Sequence, residues 1–255
     1  MKKPVMLILA AALFLAAPAG PSAAGEPDGD LRLASILKRS NRSYESLRNY
    51  QAIFYKKERA GGRLGETEKI FLKFEKPFKI FMNWLNTEKK DLQVVYERGK
   101  HNGKLAIHQP ELGFGFFPVV FLDQNSPWVK KGSESYRIED AGIGAFLADF
   151  TQAVARARDE RKLQVRPAKN NSGDPDETLE VIFDDPGKNP VYFAHRVIVT
   201  FDKITALPVK IQLFDWENEP TGIYSYENLK LNLTPEDVQF KQRINRQLYR
   251  VYQGE

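Results

Sequence analysis

The chain contains no cysteine, and that one absence removes disulfides, thiol nucleophiles, thiolate metal sites and a lipid-modified N-terminal cysteine. Histidine is nearly as scarce: the three present, His101, His108 and His195, are too far apart for an HExxH helix or any other helical metal pair. His101 falls in a turn and the other two in strands, so a structural or surface role is expected of each. A GxSxG nucleophile elbow and a GxxxxGK[ST] phosphate loop are both missing. The adjacent carboxylates Glu139-Asp140 and Asp184-Asp185 fall at the start of a helix and in a turn, where capping or solvation explains them. A hydrolase assembled from scattered residues would need a pocket of converging, perturbed carboxylates, which no stretch of sequence announces. Catalytic residues, cofactors and metals are therefore left without candidates, and the expectation is a protein that is not an enzyme.

Long apolar runs are missing too, apart from the first one. Lys2 and Lys3 precede an apolar run from Val5 to Ala17, and Pro18, Gly20 and Pro21 lead to Ser22-Ala23-Ala24, a small-residue cleavage pattern. The run is shorter than the ~20 residues of a spanning helix. Residues 1–24 are read as a secretory signal peptide, cleaved after Ala24, which places the mature chain in the periplasm. Without Lys2 and Lys3 the formal charge falls from +5 to +3, and no tract gathers charge of one sign. Such an interspersed surface argues against a nucleic-acid partner and for peripheral membrane contact at most. The 231 residues from Gly25 to Glu255 suit one large β domain or two small ones equally, and 42% hydrophobic residues supply a sizeable core.

The most legible stretch is Tyr192–Asn232. Arg196 to Phe201 alternates, then breaks at Asp202, Lys203 and Ile204-Thr205, where a short polar side chain closes a turn on its own backbone. A second run, Val209 to Phe214, follows Pro208, and Asn218, Glu219, Pro220 and Gly222 make the next turn. A third run, Ile223 to Leu231, stops at Asn232 and Thr234-Pro235. Three adjacent strands of this kind form an antiparallel meander. The Asp-x-x-Thr-x-Leu-Pro turn (Asp202, Thr205, Leu207, Pro208) and the Tyr-x-Asn-Leu-Lys-Leu-Asn close (Tyr226, Asn228 to Asn232) resemble the C-terminal half of the lipoprotein-carrier fold, the half-barrel carriers of the Lol pathway.

Upstream, Asp30 reads as the N-cap of a helix to Leu47, with Leu33, Leu37, Tyr44 and Leu47 near one face. Tyr50 to Arg59 and Glu68 to Phe74 read as strands around Gly61-Gly62, and Phe78 to Trp84 as a third after Pro77. A hairpin, Leu92 to Tyr96 and Leu105 to His108, turns at Gly99 to Gly103. The basic residue and proline at Lys76-Pro77, followed by an aromatic strand, again resemble the carriers, although the carriers commonly have arginine there, and lysine lacks the planar fork that binds in two places. Segment 49–85 is closer still to an uncharacterised family of secreted bacterial proteins related to them by fold. Leu112 to Phe117 reads either as a buried strand with its connector or as an apolar flap over a cavity. Ile143, Phe146, Leu147, Phe150 and Val154 mark a helix within Ile138 to Arg158. Leu163 to Arg166 and Thr178 to Phe183 read as strands flanking the loop Asn170 to Asp176. In the tail, Phe240, Ile244, Leu248 and Val251 could form one face of a basic helix, packed on the sheet or set against an anionic surface or partner.

The fold class is α+β, mostly antiparallel β, and the carrier resemblance implies a curved, unclosed half-barrel sheet covered by helices. It spans residues 25–235, with a basic tail at 236–255. Several strands are apolar on both faces, such as Phe78, Ile80, Met82 and Trp84 against Phe81 and Leu85, so both faces are covered or curved inward. An ordinary core against the two helices is one explanation. The carrier resemblance implies another, an apolar cavity for acyl chains, lined by Phe54, Phe71, Phe74, Met82, Trp84, Trp216 and Tyr224, with Lys76 at a head group. The leading expectation is a binding protein for a lipid, acyl chain or lipoprotein. The alternative is an envelope sensor domain whose basic tail docks a protein partner.

Overall fold

Hydrophobic periodicity builds one sheet and two enclosed helices. The computed structural model describes residues 27–109, 119–130, 137–168, 176–185, 187, 191–234 and 244–253. The leader expected at residues 1–24, the segment Leu112 to Phe117, most of the loop Asn170 to Asp176, and Phe240 lie outside them. Helix α1 (Pro27–Ser46) starts three residues before the expected cap, because Pro27 is pre-set for a first helical position. Asp30 is consequently inside the first turn, where its carboxylate receives the guanidinium of Arg158 at 2.6 Å.

The strands follow in chain order: β1 (Asn49–Ala60), the short β2 (Arg63–Leu64), β3 (Glu68–Glu75), β4 (Lys79–Trp84), β5 (Gln93–Glu97), β6 (Leu105–His108) and β7 (Val120–Leu122). A short helix α2 (Pro127–Lys130) leads to a 3₁₀ turn (Ile138–Asp140) and helix α3 (Ile143–Asp159). Then come β8 (Leu163–Pro167), β9 (Glu177–Phe183), β10 (Arg196–Phe201), β11 (Pro208–Phe214), β12 (Pro220–Leu231) and helix α4 (Arg246–Gln253). The helix expected from Ile138 is thus two pieces, divided at Gly142, whose φ of 99° lies outside the helical region. Pro220 and Gly222 belong to β12 instead of the turn before it.

Every strand pairing is antiparallel, in the order β7-β6-β5-β4-β3-β1-β12-β11-β10-β9-β8, with β2 attached to β1. Most pairs are neighbours in sequence. The exceptions are β1 with β3, across the short β2, and β1 with β12, where Tyr50 faces Leu231 and Phe54 faces Tyr226, so the last strand returns to the centre of the sheet. The two edges, β7 and β8, do not pair, and the chain between them carries α3.

Eleven strands at about 4.8 Å spacing would span about 48 Å if flat. Yet Tyr96 on β5 and Val165 on β8 share one core with Leu33 and Ile36 of α1 and Leu147 and Phe150 of α3. The sheet must therefore wrap around the helices as an open half-barrel. Its convex face carries a smaller cluster, Phe71, Phe81, Val95 and Ala106, covered by Ile244, Leu248 and Tyr252 of the tail. Of the two readings of that tail, packing on the sheet is the one observed. The buried stripe runs to Tyr252, whereas Val251 is only half-buried, because the helix repeats 244, 248, 252.

Candidate functional site

The concave face divides along the strands. Near the junction of α1 and α3 it is filled by Leu47, Tyr50, Phe74 and Ile143, all buried, with the Tyr50 and Phe74 rings stacked at 5.1 Å. The Tyr50 hydroxyl accepts the Ile143 amide at 3.2 Å, which ties the start of α3 to the sheet. Burial pushes the Tyr50 phenol well above its ordinary range, with neighbouring Tyr226 adding to the effect. Tyr44 from α1 lies against the same helix start: a Cβ on Gly144 would sit 2.1 Å from its ring. Neither tyrosine contact can be read from sequence, since each joins elements about a hundred residues apart.

Further along the strands, aromatic side chains take over. Helices α1 and α3 both pack against β8, on the far side of the sheet from β3 and β4. Phe54, Ile70 and Trp84 stand in register across β1, β3 and β4 on this face, with Met82 one pair further along. Phe54 stacks on Tyr226 at 4.8 Å and on Tyr224 at 6.2 Å. Gly222 makes room for this arrangement, because a Cβ there would meet the Tyr224 hydroxyl at 2.6 Å.

One residue pair beyond, the face becomes charged. Lys56 lies 2.9 Å from Glu58 and 3.7 Å from Glu68. Glu68 also takes the Lys89 ammonium and the Trp84 indole N–H, the latter at 3.0 Å, while the Tyr224 hydroxyl donates to Glu58 at 3.0 Å. Burial alone would raise the Glu68 carboxyl, but Lys56 and Lys89 outweigh it and hold the group below the usual carboxylate range. These two carboxylates converge, but on lysines that keep Glu68 ionised, which is an ion-pair rim and not a poised acid and base.

The expected lining residues separate into three groups. Phe54, Met82, Trp84 and Tyr224 gather at the aromatic end, and Phe74 lies deeper on the same face, against Tyr50 and Phe78. Phe71 points the other way, into the convex cluster with Phe81, because odd and even positions of β3 face opposite sides. Trp216 is set apart: its indole N–H donates to the Asp185 carbonyl at 2.7 Å and its ring faces His195 at 6.0 Å. Lys76 closes α1, donating to the carbonyls of Tyr44 and Glu45 at 2.6 and 3.0 Å with its ammonium over the Tyr44 ring. Its pKa is lowered by burial, with Glu45 partly offsetting this. Tyr226, legible in sequence only as part of the strand's closing motif, and the rim of Lys56, Glu58, Glu68 and Lys89 join the site through cross-strand register.

A polar cleft of about 430 Å³ lies between the β5–β6 turn and the 3₁₀ turn, lined by Tyr96, Arg98, Asn102, Gln124, Arg137 and Glu139 among others. Glu139 there is bound by Arg137 at 2.5 Å, by the Tyr96 hydroxyl and, at 3.6 Å, by Arg98, so the cluster satisfies itself. Among the described residues no group of three or more His, Asp or Glu could hold a metal, and no helix is long and apolar enough to cross a membrane. The histidines have structural partners: His101 Nε2 meets the Tyr252 carbonyl at 2.9 Å and His195 Nδ1 that of Phe183 at 3.0 Å.

The class defined by this geometry is an α+β half-barrel, unclosed, with two helices on its concave side and a third on its back. The chain belongs to the protein family of unknown function DUF1571, whose profile matches residues 47–249. That is the uncharacterised standing anticipated from segment 49–85. Among curated proteins none matches it in sequence. Solved structures similar to it include the lipoprotein LppX of Mycobacterium tuberculosis, at 8% identity and TM-score 0.46, covering 80% of this chain and 97% of that one. A LolA superfamily protein from Nitrosomonas europaea gives 12% and 0.34, covering 83% and 98%. The MucA/MucB complex of Pseudomonas aeruginosa gives 14% and 0.43, covering 87% of this chain but only 62% of the matched one.

Proposed function

We propose that the protein is a non-enzymatic binding protein of the bacterial envelope that takes up the acyl chain of a lipid or lipidated ligand at the aromatic end of its concave face. The observation that carries this reading is the division of that face. An apolar aromatic floor, Phe54, Ile70, Met82, Trp84, Tyr224 and Tyr226, lies on β1, β3, β4 and β12, away from the β8 side against which α1 and α3 pack, and ends in a charged rim. Aromatic rings give large apolar contact area at low entropic cost, and a rim of ion pairs keeps the polar end of a ligand at the water boundary. Each buried methylene contributes about 0.8 kcal/mol, so eight of them supply about 6 kcal/mol with no specific polar contact. In the described conformation Phe54 is 6% and Trp84 8% exposed, so entry of a chain requires side chains of the floor to move apart. The half-barrel favours this because β7 and β8 are unpaired edges among the described residues, so that widening the gap between them breaks no ladder hydrogen bond described. Export by the leader at residues 1–24 puts this activity in the periplasm.

The reading is tested by stripping recombinant protein of bound lipid and titrating it with a fluorescent fatty acid. Saturable uptake with one site is expected, weakened at least tenfold by Phe54→Asp. No uptake by the folded, delipidated chain would count against it.

A further inference from the structure

The charged rim of the concave face carries both signs in equal number, and that balance bears on which head group it can accept. Cross-strand register sets Glu68, Lys56 and Tyr224 in one row, directly beyond the row of Ile70, Phe54 and Tyr226 in the floor. Glu58 follows at the next position on the same face, opposite Gly222, and Lys89 reaches Glu68 from the β4–β5 turn. Lys56 stands within 3.7 Å of both carboxylates, so the four charges form one cluster at the mouth of the floor. Their side chains are only 14% to 26% exposed, and a charge that loses its partner here is poorly compensated by water.

The surroundings lean toward acid. Among the described residues, the three turns at this end expose two basic side chains, Arg63 and Lys90, against five acidic ones, Glu66, Glu88, Asp91, Glu217 and Glu219. Arg59, beside them, is taken up by Asp215 at 2.5 Å. A head group of net negative charge would draw a lysine off Glu58 or Glu68, leave that carboxylate short of a partner, and sit in the field of the acidic turns. A head that is only cationic would strand the lysines in the same way. A head with one charge of each sign exchanges rim pairs for new ones, ammonium on carboxylate and phosphate on lysine, and leaves nothing unpaired. The carboxylates gain most from a primary ammonium, which donates hydrogen bonds that a trimethylammonium lacks.

Resting on the reading of this face as an acyl site, we infer that its ligand is a phospholipid with a zwitterionic head that ends in a primary ammonium, the ammonium held by Glu58 and Glu68 and the phosphate by Lys56 and Lys89. The rim thereby selects the head while the aromatic floor takes the chain.

The test displaces a fluorescent fatty acid from delipidated protein with four single-chain lipids of equal chain length: lysophosphatidylethanolamine, lysophosphatidylcholine, lysophosphatidylglycerol and a monoacylglycerol. The ethanolamine lipid is expected to act at concentrations roughly tenfold below the phosphatidylglycerol one, with the other two between. Glu68→Gln keeps an acceptor for the Trp84 indole but removes a negative charge from the rim, and should bring those two lipids within about twofold of each other. Glu58→Gln should shift the ratio in the same direction, so the test does not hang on the folding of one variant. Glu88→Gln makes the same charge change on an exposed side chain of the neighbouring turn and should leave the ratio as in the wild type. Equal or tighter binding of the phosphatidylglycerol lipid or the monoacylglycerol overturns the inference, and so does an unaltered ratio in both rim variants or an equal shift in Glu88→Gln. Equal displacement by the choline lipid overturns the requirement for a primary ammonium. Displacement by all four alike keeps the acyl site and removes the head-group assignment, whereas no uptake of the fatty acid at all removes both.

Discussion

Two tyrosines and two glycines set how α3 meets the sheet. The Tyr44 ring occupies the space a side chain at residue 144 would need, 2.1 Å from an ideal Cβ, so Gly144→Ala forces either the ring or the helix to shift. Overpacking of this kind costs about 1–3 kcal/mol, and the urea midpoint is expected to fall accordingly. Combining Gly144→Ala with Tyr44→Ala should recover part of the loss, which a backbone effect of alanine alone would not allow. A second prediction concerns Glu160, whose carboxyl is pulled down to about 2 by hydrogen bonds from Lys162 and Arg156, with Tyr192 donating as well. A carboxyl whose folded pKa lies below its unfolded value near 4.5 stabilises above that value, and the contribution disappears as pH falls from about 4.5 toward 2. The wild type should lose stability more steeply over that window than Glu160→Gln, and by less in high salt because the group is exposed. At this scale sequence was silent for a physical reason. Lys56, Glu68 and Lys89, or Tyr50 and Ile143, meet through strand register and helix placement, which no local spacing encodes.

Elements were far more legible than contacts. The Asp202 turn announced itself because its chemistry is local: the carboxylate accepts both the amide and hydroxyl of Thr205 at 2.6 Å, within the motif. Strand alternation likewise located β3, β4, β10 and β11 to within a residue or so, because the same side chains that alternate in sequence alternate between faces. Pro220 and Gly222 misled, since a turn signature was read where Gly222 instead lies in β12 beneath the Tyr224 ring. The tail helix was half-legible: its apolar repeat was visible, but the face of the sheet it would cover was not. Leu248 is fully buried against the convex cluster, and Leu→Ala at such a site removes about 2–5 kcal/mol. Helix α4 has only eight residues, too few to persist unpacked. Leu248→Ala is therefore expected to release α4 while the half-barrel stays folded. Hydrogen exchange should show protection lost in residues 244–253 alone, a hydrophobic dye should bind the uncovered Phe71, Phe81 and Val95, and fatty-acid uptake should be unchanged. Collapse of the global unfolding transition would contradict this separation.

For the whole molecule, closure of the sequence on itself through β1 and β12 leaves β7 and β8 as free edges and gives α3 the task of crossing between them. The half-barrel was anticipated from the resemblance to the lipoprotein carriers; strands apolar on both faces said only that both sides of the sheet are covered or curved inward. What could not be anticipated is where on the concave face the aromatic floor meets the charged rim, since that boundary depends on cross-strand register. The account places an acyl chain at that boundary, and Trp84, one of three tryptophans in the chain, stands in its floor. The most direct measurement is quenching of tryptophan fluorescence in delipidated protein by a fatty acid brominated along its chain, compared with the Trp84→Phe variant. Saturable quenching in the wild type, largely lost in Trp84→Phe while uptake persists, is the predicted result. Uptake with equal quenching in both proteins would place the chain elsewhere and contradict the account.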